Sequence, residues 1–120
     1  MEPNSPPINV ELVSAGVSPY SAVVTLCGEH DYGTSREINA SLAPLHGLVL
    51  LDLSECDFID SAVLGSVLRK FQDSQRSGQG TIELVAKPGS SVDRLLEVTG
   101  VRQLLVVHPS VPAGATIDED

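Results

Sequence analysis

Leu50-Leu51-Asp52-Leu53-Ser54-Glu55-Cys56-Asp57-Phe58-Ile59-Asp60-Ser61-Ala62-Val63-Leu64-Gly65-Ser66-Val67-Leu68 is the stretch on which the fold turns. It begins inside a continuous apolar run, Leu48 to Leu51, of the kind that a strand covered on both faces displays. The run gives way to an acid-rich loop, Asp52 to Asp60. Beyond it Leu64, Val67, Leu68 and Phe71 recur at i, i+3, i+4 and i+7, while Arg69, Lys70, Gln72 and Asp73 fall mostly on other faces. This spacing predicts an amphipathic helix that starts at or beside Ser61. Ser61 then sits at the carboxyl end of a central strand, where an open α/β sheet exposes loops and backbone N–H groups. The plain reading of Ser61 is a helix cap, since serine is favoured at such positions, with Asp60 able to share the job.

Upstream, Ile8, Val10 and Leu12 alternate with polar residues, and Ala22 to Leu26 forms a second β-rich run after the turn signal at Gly16 to Pro19, which predicts an opening hairpin. Thr34 with Glu37 has the form of a capping box, and Ile38, Leu42 and Leu45 follow at helical spacing as far as Pro44 allows. Downstream, Gly78 and Gly80 stop the Ser61 helix and Ile82 to Val85 reads as a strand. Ser90 with Asp93 opens a third helix carrying Val92, Leu95 and Leu96, Gly100 ends it, and Leu104 to Val107 gives a last β run. Strands and helices alternate, so the expectation is one α/β domain, residues 8–107, built on a mixed sheet. Residues 1–7, with three prolines, and the acidic segment 108–120, with Pro109, Pro112 and Gly114, are expected to be flexible tails.

Composition narrows the function classes. A chain of 120 residues, 42% hydrophobic, buries one core but hardly two. Sixteen acidic residues against 7 basic ones give a formal charge of −9, which argues against nucleic acid and anionic lipid and favours a partner with a basic patch. No apolar stretch approaches the roughly 20 residues of a membrane span, and Met1 to Val10 lacks the pattern of a signal peptide, so a cytoplasmic location without membrane insertion is expected. Cys27 and Cys56 lack CxxC spacing and read as small apolar residues. His30, His46 and His108 show no metal-ligand spacing and read as loop or surface residues. The pattern G-x-S-x-G is absent around Ser61. Neither a metal, a cofactor nor an enzymatic activity is expected.

With these elements in place, the chain resembles the STAS domains, and among them the bacterial anti-sigma factor antagonists, over Ile8 to Val107. The resemblance rests on Leu51-Asp52-Leu53-Ser54, on Asp57-Phe58-Ile59-Asp60-Ser61, on Leu64-Gly65, and on the helix positions Val67 and Leu68. Gly28-Glu29-His30-Asp31 stands where family members often have Gly-Glu-Leu-Asp, and Leu95 to Val101 looks like the family's third helix with its Gly-Val ending. The resemblance implies a STAS-like single domain, a mixed β-sheet with amphipathic helices packed against it. In that family the serine matching Ser61 is phosphorylated by a partner that is both serine kinase and anti-sigma factor. The unmodified form binds that partner and frees the sigma factor; the phosphorylated form does not bind, and a phosphatase restores it. The implied partner surface comprises Glu29, Asp31, Asp57, Asp60, Ser61, Ala62, Gly65 and Arg69.

A phosphate would bring about −1.5 to −2 charge to a site already rich in acids, opposed by the dipole of the helix, so it is expected to change the surface without unfolding the domain. Two departures from the family pattern stand out. Val63 occupies a place where relatives commonly have glycine, and no strong helical pattern follows Pro109. Two rival readings stay open: an accessory subunit of a membrane transport or sensory complex, and a redox-regulated binding module using Cys27 and Cys56, which the fold would bring close.

Overall fold

Ile8–Leu12 (β1) and Ala22–Leu26 (β2) form the antiparallel hairpin that their alternation predicts, with Ile8 opposite Leu26 and Leu12 opposite Ala22. The computed structural model describes residues 8–13, 18–78 and 80–115, so part of the hairpin's turn signal lies outside the described residues. The chain continues through β3 (Gly28–His30), α1 (Tyr32–Leu42), β4 (Gly47–Asp52), β5 (Cys56–Ile59), α2 (Ser61–Ser77), β6 (Gly80–Val85), α3 (Ser91–Val98) and β7 (Val107–His108). Five strands make one mixed sheet in the order β1-β2-β4-β6-β7, parallel everywhere except at the β1–β2 pair. β3 and β5 form a separate parallel pair.

The apolar run Leu48 to Leu51 lies in β4, at the centre of the large sheet. Its side chains alternate between two cores, as the period of a strand requires. Val49 and Leu51 enter the larger core with Ile38, Leu42, Val63, Val67 and Leu96 from the three helices. Leu50 enters a smaller one with Tyr20, Val23, Val85 and Ala115. A strand buried on both sides has no place for polar residues, which is why the sequence there is continuous rather than alternating. At the start of β4 and β6 the two backbones meet so closely that a Cβ on Gly80, which has φ +101°, would lie 2.0 Å from the Gly47 carbonyl oxygen.

Two expectations change. The segment from residue 108 does not leave the sheet as a tail: His108 closes β7, and Val111 and Ala115 pack over Val23, Leu50 and Val85. That face of the sheet is apolar and requires a cover, which the chain supplies here. Residues 1–7 and 116–120 lie outside the described residues. The last β run is also shorter than its composition predicts, because Val101–Gln103 forms a 3₁₀ turn and leaves only Val107–His108 paired.

A polar cluster fastens this second face. The Tyr20 hydroxyl donates to Glu83 Oε1 at 2.7 Å, and His108 Nε2 lies 2.8 Å from the same oxygen. Burial first, then Glu83, pushes Tyr20 up from 10.0 to about 12. In the larger core burial pushes the Cys56 thiol up from 9.0 to about 11. Both groups are held in their protonated forms, so their contribution to stability is complete below 9.0 and 10.0 and is lost as pH rises through about 11 and 12. Urea midpoints should therefore fall between about pH 9 and 12, and Tyr20→Phe should remove the part of the decline that sets in above about pH 10.

Candidate functional site

The small β3–β5 pair brings two aspartates together. Glu29 stands opposite Phe58 and His30 opposite Ile59, so the next residues, Asp31 and Asp60, leave the pair side by side. Each caps the helix that follows. Asp31 accepts from the Gly33 N–H at 2.8 Å, and Asp60 Oδ1 accepts from Ala62 N–H at 3.0 Å and Val63 N–H at 3.1 Å. The second oxygen of Asp60 accepts from the Tyr32 N–H of α1 at 3.0 Å. One carboxylate thus satisfies otherwise unpaired donors on two helices.

The capping box expected at Thr34 and Glu37 is not formed. Thr34 lies inside the first turn of α1, buried, with its hydroxyl 3.1 Å from His30 Nδ1. Asp31 takes the cap because β3 delivers it, in extended conformation, to the point where the helix begins. His30 itself is fully buried, not a loop or surface residue: its Nε2 meets the Cys27 carbonyl at 3.0 Å, so both ring nitrogens are engaged.

Ser61 is the first residue of α2 and is exposed. Since Asp60 caps the helix, the Ser61 hydroxyl is not needed for that job, and among the described residues nothing holds it by a hydrogen bond. His30 is occupied by Thr34 and the Cys27 carbonyl, and His108 is bound to Glu83 on the second face, so neither ring serves Ser61. Among the described residues no three His, Cys, Asp or Glu converge as metal ligands would.

The other predicted residues divide into near and far. Glu29, Asp31 and Asp57 are exposed on the β3–β5 pair and its loops, and Ala62 is half-buried beside Ser61. The Asp57 carbonyl accepts from Ser91 Oγ at 2.6 Å, which ties β5 to the start of α3. Gly65 lies one turn along α2, with nothing within 4 Å of where a Cβ would be. Arg69 is two turns along, about 12 Å from Ser61, and lines a different cleft with Asn39. Val63, whose bulk departs from the family pattern, is 0% exposed and packs in the core, so it leaves the Ser61 surface open.

Two residues at this surface escaped the sequence reading. Tyr32, 77% exposed, opens α1 beside Asp60, and Phe58, 44% exposed, lies on β5 two residues before it. Both middle positions of β5, Asp57 and Phe58, face solvent. Gly28 pairs with Cys56, so Cys27 and Cys56 are neighbours, and both are free thiols. Cys56 is 6% exposed and, with its raised pKa, stays protonated and poorly nucleophilic at neutral pH.

The order of strands and helices that carries this exposed serine is one that known proteins share. The STAS domain family profile matches residues 13–114, most of the chain. The chain belongs to the STAS domain family. No curated protein matches the sequence significantly. Among solved structures, an anti-sigma factor antagonist from Mycobacterium paratuberculosis is similar with a TM-score of 0.74 and 21% identity, covering 92% of this chain and 91% of that one. The anti-sigma factor antagonist SpoIIAA in its unphosphorylated form has a TM-score of 0.62 and 17% identity, covering 88% and 90%. The Bacillus cell fate determinant SpoIIAA in the phosphorylated form has a TM-score of 0.63 and 18% identity, covering 84% and 90%. At these identities the likeness is one of fold. Among the described residues no helix is long and apolar enough to cross a membrane.

The division of labour between Asp60 and Ser61 has a measurable consequence. Asp60→Ala should destabilise the STAS domain by about 1–2 kcal/mol, since it strips three N–H groups on two helices. Ser61→Ala should stay within about 0.5 kcal/mol of the parent. Urea denaturation of the two variants checks the contrast.

Proposed function

We propose that this STAS protein is an anti-sigma factor antagonist whose unmodified form binds an anti-sigma factor of the serine-kinase type and frees the sigma factor, and that phosphorylation at Ser61 switches it off. The observation that carries this reading is the exposed, unengaged hydroxyl of Ser61 next to a cap supplied by Asp60. A kinase can take that hydroxyl without costing α2 its cap. The phosphate would lie at the positive end of the α2 dipole, which favours it, and beside the carboxylates of Asp60 and Asp31, which oppose it. Those effects offset each other inside the domain, while the surface that a partner meets gains two negative charges, or nearly so.

The surroundings support docking. Aromatic side chains are enriched at protein interfaces, and Tyr32 and Phe58 flank the serine with large exposed areas. The acidic surface, with a formal charge of −9, suits a basic partner and speeds encounter with it. SpoIIAA, which has the same fold, is known in both unphosphorylated and phosphorylated forms.

The test combines a serine-kinase anti-sigma factor, ATP and this protein. Mass spectrometry should find phosphate on Ser61 and none on Ser61→Ala, and Ser61→Asp should bind the kinase about tenfold more weakly or worse. Unlabelled wild-type protein together with equal affinities for Ser61→Asp and wild type would refute the reading. Recovery of only transporter components from the native cell would replace it with the accessory-subunit reading.

Gly65 gives an independent check. Nothing in the fold requires glycine there, since a Cβ would meet no atom within 4 Å. Gly65→Ala should raise stability by about 0.5–1 kcal/mol through helix propensity. If the partner's backbone approaches α2 at this turn, the same variant should bind more weakly, a split that paired denaturation and affinity measurements reveal.

A further inference from the structure

Where α2 faces α1, its buried side chains are polar. Ser66, Lys70 and Ser74 all lie there, and Ser66 Oγ donates to the Ala62 carbonyl at 3.3 Å and lies 3.4 Å from the Ser35 carbonyl. Lys70 is 9% exposed. Its ammonium donates to the Leu45 carbonyl just past the end of α1. An ammonium has three donors, and this bond uses one. Among the described residues no carboxylate forms an ion pair with Lys70; Asp73, the nearest acid on its helix, is 3.4 Å from Arg76 on the exposed side. Burial pulls the Lys70 ammonium below its ordinary value, an effect that Asp73 only partly reverses. A largely covered cation with spare donors and no carboxylate in direct contact is costly unless an acceptor meets it.

The space to meet it is present. Two clefts of about 160 and 170 Å³ adjoin Lys70, which lines both together with Ala43 and Asp73. The first also has Asn39, Leu42 and Arg69 in its wall. We propose that the cleft between α1 and α2 binds a small organic monocarboxylate, its carboxylate held by Lys70 with help from Arg69 and Asn39 and its short alkyl chain against Leu42 and Ala43. A second negative charge on the ligand would meet Asp73, which disfavours dicarboxylates and phosphate. The volume suits a molecule of a few carbon atoms. This site is two turns of α2 from Ser61 and does not depend on the reading of that serine.

The bond from Lys70 to Leu45 also closes the end of α1, and a lysine serving only that purpose would bind no ligand. Sodium butyrate separates the two roles. Added to the ¹⁵N-labelled full chain at constant ionic strength, it should produce saturable amide shifts at Ala43, Ser66, Lys70 and Asp73, with a dissociation constant on the order of millimolar. Sodium chloride and 1-butanol should produce none of these. Lys70→Met should weaken butyrate by about tenfold or more, and the exposed Arg69→Gln by a smaller factor of about two to ten. Shifts that do not saturate, that are spread over the surface, or that keep their dissociation constant in Lys70→Met overturn the proposal. If Lys70→Met fails to fold, Arg69→Gln decides, and an unchanged constant in that variant overturns it.

Discussion

The Asp60 carboxylate is the joint on which this site depends. Its two oxygens take N–H groups from the starts of both α1 and α2, at 3.0 to 3.1 Å. Bonds from N–H groups to a carboxylate are stronger than neutral ones, and a negative charge at a helix start also meets the positive end of the dipole. The parallel register of β3 and β5 makes this geometry available, since it sets Asp31 and Asp60 next to each other. Two helices that begin from one anchor cannot drift apart at that end, so the surface between Tyr32 and Ser61 is held as a unit.

Separating the cap from the neighbouring serine leaves the Ser61 hydroxyl outside the bonds that start the helix. Were Ser61 the cap, attaching any group to its hydroxyl would disturb the helix; with Asp60 in that role the hydroxyl is spare. The same separation appears in the core. Val63, directly after Ala62, has its N–H on Asp60 and its side chain among the buried apolar residues, so α2 is fixed from both sides within its first turn.

Local features were legible in the sequence and pairings were not. The apolar run of β4, the start of α2 beside Ser61, the Ser90 cap that accepts from Asp93 N–H at 3.1 Å, and the left-handed Gly100 all follow from short-range chemistry. β3 and β5 have three and four residues, too few for a period to show, and exist because two distant segments meet. That pairing exposes Phe58 and presents Asp31 as the cap of α1, which is why the Thr34 motif misled. Lys70 sits among residues that pattern assigns to a polar face, but α1 covers that face. The packing of Val111 and Ala115 is likewise invisible locally, because prolines and glycine read as a tail until an apolar sheet face lies beneath them.

The two borders of the large sheet bear on how the protein behaves when crowded. Any border strand offers unpaired backbone groups to which another chain can add itself. β7, at one border, has only two residues, and the chain then turns back over the sheet. β1, at the other, is longer and exposes Leu12 at 74%, but Asn9 and Glu11 interrupt its apolar residues and the acid repels a second copy. Edge-to-edge stacking of copies is thereby disfavoured, with one border too short to template growth and the other charged.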